Sequence, residues 1–149
     1  MNPIIRMDLP HGMVLIECFP NLAPTHVAQI IKISNDGAYD GVPFHRVIDG
    51  FMAQGGATMK GYPQLQAEFN DAPHVEGMCS MARTPDPNSA SDQFFICIAN
   101  AQFLDRQYTV WGRVMYGIEH VHAIAKGEPP ANPTPIVKMR SVDPTSIGA

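Results

Sequence analysis

Apolar residues along this chain gather in short runs broken by glycine, proline and asparagine, and only two stretches carry a helical period. Ile4 to Asp8 and Met13 to Phe19 flank the turn Pro10-His11-Gly12, the pattern of two strands in a β-hairpin. Pro24 stands where a first helical turn accepts it, because the amide hydrogen it lacks would have no partner there. Val27, Ile30, Ile31 and Ser34 follow at helical spacing and Gly37 offers a stop, so the spacing predicts a helix over Pro24 to Asn35. From Phe44 to Met81 short strands are expected. Phe44 to Ile48 and Phe51 to Gln54 form a pair around the turn dipeptide Asp49-Gly50. Phe94 to Ala99 is an unbroken apolar run, as in a strand covered on both faces, with Phe94 and Ile96 pointing to the interior. Thr109 to Val114 reads as another strand. Ile118 to Ala125, with Val121, Ile124 and Ala125 on one side and Gly127 beyond, reads as a second short helix. Four prolines between Glu128 and Pro135 exclude a regular helix or central strand there. Ile136 to Val142 is the last expected strand, and Pro144 to Ala149 is expected to form a loose tail. Many short strands with two helices predict a mainly β fold, a closed antiparallel barrel.

Length and charge narrow the classes. The 149 residues fit a single domain, 1–149, and a chain of this size buries roughly 70% of its unfolded surface. A net charge of −4 without any basic run argues against nucleic acid or anionic lipid as partner. Met1 to Asp8 lacks the basic-then-apolar order of a secretory signal, and no apolar run approaches bilayer length. Cys18, Cys79 and Cys97 are odd in number and far apart, which predicts free buried thiols in a reducing, cytoplasmic setting. His120 and His122 point to different sides of the expected helix, and Cys18 and Cys79 lack partners at zinc spacing, so no metal site is expected. No Gly-x-Ser-x-Gly elbow supports a serine hydrolase. Trp111 is expected to pack inside the barrel.

Two blocks carry more specific information. The first runs Tyr39-Asp40-Gly41-Val42-Pro43-Phe44-His45-Arg46-Val47-Ile48-Asp49-Gly50-Phe51-Met52-Ala53-Gln54-Gly55-Gly56. The second begins at Ser80-Met81-Ala82, continues through Asn88-Ser89-Ala90-Ser91-Asp92-Gln93-Phe94-Phe95-Ile96 and Phe103-Leu104-Asp105, and ends at Tyr108-Thr109-Val110-Trp111-Gly112-Arg113-Val114. In order and separation these resemble the signature stretches of the cyclophilin family, and the resemblance extends from Ile4 to Val142. It implies an eight-stranded antiparallel β-barrel capped by two helices, with an active groove on the outer face. It implies a peptidyl-prolyl cis/trans isomerase that works without metal or cofactor on proline-containing polypeptides. Arg46 would be the catalytic residue, with Gln54 holding substrate backbone. Phe51, Met52, Phe95 and Leu104 would form the pocket for the proline ring. Ile48, Phe103 and Tyr108 would line the groove, and Ala82, Arg83 and Gln93 would contact the residues flanking the proline.

The chemistry suits those residue types. Resonance gives the peptide bond its barrier, and a twisted transition state leaves a lone pair on the prolyl nitrogen. A permanently charged, multi-pronged guanidinium aimed at that lone pair helps only in the transition state. No bond breaks and no proton leaves, so His45 is expected to be structural rather than a base. The same groove could instead serve a binding module that holds proline-containing segments with little catalysis.

The chain departs from the family pattern in four places. Ala57 and a short connection through Gly61 to Glu68-Phe69 replace an Asp and a longer glycine-rich loop, which would open the neighbouring specificity pocket. Arg83-Thr84 stands where many eukaryotic relatives have Asn-Ala, Phe103 where many have Trp, and Tyr108 where many have His. These choices look like the bacterial branch. Without the indole donor, cyclosporin is expected to bind weakly. A monomer is expected.

Overall fold

The computed structural model describes residues 2–147. Its elements are β1 (Ile4–Leu9), β2 (Gly12–Cys18), α1 (Pro24–Asn35), β3 (Arg46–Ile48), β4 (Met52–Gly55), β5 (Met78–Met81), β6 (Phe94–Cys97), a 3-10 turn (Gln102–Leu104), β7 (Val110–Tyr116), α2 (Ile118–His122), β8 (Lys138–Val142) and α3 (Pro144–Ile147). The strands form one antiparallel sheet in the order β3-β4-β6-β5-β7-β2-β1-β8.

Contrary to the closed barrel expected from sequence, the sheet is a curled, open half-barrel with β3 and β8 as its edges. The proline-rich segment crosses the seam instead of a ladder. It meets the β3 side at isolated bridges, Val47 with Gly127 and Pro43 with Pro135. Val47 and Gly127 exchange amide bonds of 2.8 Å in both directions, and the Phe44 amide donates to the Thr134 carbonyl at 2.9 Å. Pro129, Pro130, Pro133 and Pro135 have no amide hydrogen with which to extend a ladder. The stretch covers the β3 edge at Val47, and on the β8 edge the Met139 and Ser141 amides donate to the side chains of Asp40 and Asn35, so neither edge is left bare for pairing with another chain.

Strand alternation sorts the side chains into two clusters. Val47, Ala53, Cys79, Met81, Phe94 and Ile96 point inward and join Ile5, Met7, Val14, Ile16 and Met139. Phe94 is the hub. Tyr39, Phe44 and Trp111 meet it edge to face, at ring separations of 5.5, 6.1 and 5.9 Å. Trp111 is fully buried, as expected. Helix α1 lays Val27, Ile30 and Ile33 on this cluster, and α2 contributes Val121. β6 ends at Cys97, short of the expected Ala99, because the Ile98 amide turns to the Phe51 carbonyl at 3.0 Å.

Long-range polar contacts fix α1. The Glu68 carboxylate accepts from the Thr25 and His26 amides at 3.3 and 2.9 Å and from His26 Nδ1 at 2.6 Å, closing a helix N-terminus that has no side-chain cap of its own. Burial raises the Glu68 carboxyl, but the bonds from His26 and Thr25 outweigh it and hold the group below its ordinary value. At the other end Arg140 on β8 grips Asp40 through two bonds of 2.8 Å and reaches the Ser34 carbonyl at 3.1 Å. The segment expected as a loose tail carries α3, while 148 and 149 lie outside the described residues.

Candidate active site

The outer face of β3, β4, β6 and β5 presents one cross-strand row. Arg46 pairs with Gln54, Gln54 with Phe95, and Phe95 with Ser80. A second row, Ile48, Met52 and Cys97, lies alongside. One residue of register slip would send all of them into the barrel, so the interior alternation that places Val47, Ala53, Phe94 and Ile96 inside also aims this face outward. The hairpin turn supplies Phe51. Its amide donates to the Ile48 carbonyl at 3.0 Å, and Gly50 takes the positive φ of 73° that the tight reversal needs.

Met52, Phe95, Cys97 and Ala101 form a small buried cluster, against which Ile48, Phe51, Ala82, Leu104 and Tyr108 pack half-buried. The cluster does not fill its own space. It leaves a cavity of about 130 Å³ lined by Arg46, Phe51, Met52, Gln54, Ala82, Arg83, Phe95, Leu104 and Tyr108, all of them expected from sequence. Ile48 packs half-buried against the same cluster but does not line the cavity itself. Phe103 is 69% exposed at the rim, its ring 5.5 Å from that of Phe51. Gln93 falls outside this lining and in an adjoining polar cleft of about 170 Å³, shared with Gln54, Ala82, Arg83, Thr84, Ser89, Ser91 and Asp92. His45 lies beyond Arg46, beside Glu128 and Pro129.

The polar edge of the cavity is a relay of amides and one cation. Arg46 Nη1 donates to Gln54 Oε1 at 3.3 Å, and Gln54 Nε2 donates to Gln93 Oε1 at 3.1 Å. A guanidinium only donates, so it fixes which end of the Gln54 amide faces it. Arg46 Nε donates to Glu128 Oε1 at 3.2 Å. Among the described residues Nη2 has no hydrogen-bond partner, so one prong remains available at the mouth. Arg83 is occupied differently. Nε and Nη2 donate to the Gln107 carbonyl at 3.1 and 2.7 Å, and Nη1 to the Thr84 carbonyl at 2.9 Å. Its guanidinium also lies 4.4 Å over the Tyr108 ring, so it braces a wall of the cavity.

Glu128, His74 and Asp105 belong to the surroundings of this site, and sequence reasoning assigned none of them a part in it. Glu128 reaches Arg46 only because the seam segment crosses the sheet edge, a non-local event without a local motif. The three cysteines are free and buried, and burial pushes Cys18 and Cys97 up to about 12, so both are neutral thiols at ordinary pH. Among the described residues no helix is long and apolar enough to cross a membrane.

An open cavity with apolar walls on one side and a free guanidinium prong at its polar edge sits on a half-barrel whose sequence aligns with a known family. A model of the family described as cyclophilin type peptidyl-prolyl cis-trans isomerase/CLD matches residues 4–143. The chain belongs to the cyclophilin family. A probable peptidyl-prolyl cis-trans isomerase of Brucella abortus (strain 2308) is 45% identical over 148 residues, spanning 88% of this chain and 75% of that protein. A peptidyl-prolyl cis-trans isomerase of Synechococcus elongatus is 42% identical over 112 residues, 72% of this chain and 77% of its own. The crystal structure of a cyclophilin from Hirschia baltica superposes with a TM-score of 0.87 at 32% identity, over 91% of this chain and 72% of that one. A Cryptosporidium parvum structure of the same type, at 23% identity and a TM-score of 0.85 over 94% and 99% of the two chains, shares the fold. This cyclophilin is accordingly a peptidyl-prolyl cis-trans isomerase.

Proposed function

We propose that this cyclophilin, a single domain, turns X-Pro bonds in unfolded or flexible polypeptides and so assists their folding, with Arg46 as the catalytic donor. The observation that carries the assignment is the free Nη2 prong of Arg46 at the mouth of the apolar cavity. The proline ring enters between Phe51, Met52, Phe95 and Leu104, and Gln54 holds the backbone beside it. Ile48, Phe103 and Tyr108 line the groove. Ala82, Arg83 and Gln93 meet the neighbouring residues. The Cryptosporidium parvum relative was crystallised in the presence of the dipeptide Ala-Pro, which supports a proline-containing ligand here.

The energetics are demanding but modest. A barrier of ~18–20 kcal/mol makes uncatalysed X-Pro exchange take roughly 10–100 s. A turnover of ~10³ s⁻¹ corresponds to about 13 kcal/mol, so on the order of 5–7 kcal/mol must be removed. One charge-assisted hydrogen bond supplies ~1.5–3 kcal/mol in ordinary folded settings. The remainder comes from gripping the ring while the bond twists, and from placing the amide against apolar walls.

The free thiols support a reducing compartment, and we assign the protein to the cytoplasm of a bacterium-like cell as a monomer. Cyclosporin binds weakly, because Phe103 offers no hydrogen-bond donor. A protease-coupled assay on a short Ala-Pro peptide, with binding measured in parallel, tests the reading. Wild type accelerates exchange and Arg46→Ala largely does not, while peptide binding changes little. Binding by wild type without acceleration would instead make the groove a proline-binding module.

A further inference from the structure

The cavity walls come from segments that do not neighbour one another in sequence, and one fully buried side chain touches most of them. His74 is 0% exposed. Its ring stacks on Phe95 at 6.1 Å and 19° and meets Tyr108 edge to face at 6.5 Å. Its backbone holds the 3-10 turn that carries Phe103 and Leu104 from both sides. The Ala101 amide donates to the His74 carbonyl at 2.8 Å, and the His74 amide donates to Asp105 Oδ1 at 2.7 Å. The ring adds Nδ1 to the same carboxylate oxygen at 3.0 Å, and Nε2 lies 2.9 Å from Ser80 Oγ, the residue paired with Phe95 across β5 and β6.

Proton counting constrains this network. A carboxylate only accepts, so Nδ1 carries the hydrogen toward Asp105. Burial lowers the His74 imidazole below its ordinary value, and Asp105 only partly offsets that. The single Ser80 hydroxyl hydrogen has two acceptors within reach, Nε2 at 2.9 Å and the Thr109 carbonyl at 3.0 Å. Each ring nitrogen thus has a polar partner within reach, on a segment that bears a cavity wall.

We infer that His74, through Asp105 and Ser80, is the positioning residue of the proline pocket, holding Phe95, Leu104 and Tyr108 at the spacing that keeps a bound ring beside Arg46. The inference rests on the isomerase reading above and adds a residue that touches no substrate. Losing the clamp removes no pocket side chain but lets the turn bearing Leu104 shift, and displacements of about 1 Å can cost on the order of a hundredfold in rate.

Two variants test it. His74→Phe keeps a ring against Phe95 and removes the side-chain bonds. Asp105→Ala removes only the clamp on the 3-10 turn, from a side chain that is 29% exposed, and so guards against a variant that fails to fold. The expected result is a fall of about tenfold in kcat/KM on an Ala-Pro peptide per folded molecule, most of it in kcat rather than KM. Asp105→Asn, which keeps an oxygen in that place, recovers most of the loss. Proton and methyl NMR of the free protein reads the pocket independently of activity. The Phe95 ring and Leu104 methyl signals shift or broaden in Asp105→Ala and return in Asp105→Asn. A wild type that gives no acceleration would overturn the isomerase reading, and the NMR comparison would still decide the clamp. Unmoved Phe95 and Leu104 signals, or kcat and KM within twofold of wild type in both disruptive variants, would overturn the role of His74.

Discussion

Phe94 and Phe95 are adjacent in sequence and both are buried, at 0% and 4% exposure, yet they belong to different regions of the molecule. Phe94 sits at the centre of the barrel interior, ringed by Tyr39, Phe44 and Trp111. Phe95 faces the other side of the same strand, where a smaller cluster stops short of closing and leaves a cavity edged by Arg46. The first region is a finished core. The second is a core lacking one side chain, the space proposed above for a proline ring. The contrast shows how strand alternation alone divides labour: one face supplies stability and the other a binding surface, with the register common to both.

The sharpest way to break this division is Phe94→Ala. It opens a large cavity where the neighbouring rings cannot collapse, and should cost about 3–5 kcal/mol in urea unfolding. The folded fraction should keep its peptide-exchange rate. A loss below ~1 kcal/mol would show that the interior is not the stabilising region. Leu104→Ala tests the opposite face. Half-buried at the cavity wall, it should cost less than about 1 kcal/mol in stability, but should lower kcat/KM about tenfold, near 1.4 kcal/mol. Equal effects on both quantities would erase the distinction.

A milder change sharpens the boundary at the rim. Phe103 is exposed, so Phe103→Trp should leave the melting temperature unmoved while tightening cyclosporin inhibition several-fold through a new indole donor. Nanomolar inhibition of the wild type would contradict the weak binding proposed here. The smallest effect is that of pH. Burial keeps His74 neutral in the folded chain, so below about 6.5, its ordinary value, the unfolded chain takes up a proton that the folded one refuses. Stability should therefore be full above that value and decline as pH falls below it, with Asp40, held low chiefly by its bonds from Arg140, adding a second loss below about 3.8. A urea midpoint unchanged between about pH 7.5 and 5.5 would contradict the first step.

Most of the cavity was legible in the sequence because its residues lie on short strands where alternation and motif coincide. Arg46, Phe51, Met52 and Gln54 come from one hairpin, and a hairpin's register follows from its turn. That the sheet stays open was not legible, and a closed barrel was expected in its place. The prolines between 129 and 135 correctly excluded a central strand, but nothing local says that such a segment lies across a seam and brings Glu128 to Arg46. His74 was invisible for a related reason. Its partners are 6 and 31 residues away, and only the folded chain brings them around one imidazole. Arg83 has a part that its place in the motif did not reveal. Besides lining the cavity, its guanidinium bonds two backbone carbonyls.

The most direct test of the central claim is NMR exchange spectroscopy of an Ala-Pro peptide bound to wild type and to Arg46→Ala, reading the cis-trans interconversion rate on the protein and the bound fraction in one experiment. In the role proposed for it the guanidinium acts only as the bond twists, so the interconversion rate should fall about a hundredfold or more while the bound fraction stays within a fewfold. An Arg46→Ala protein that interconverts bound peptide as fast as wild type would contradict the account.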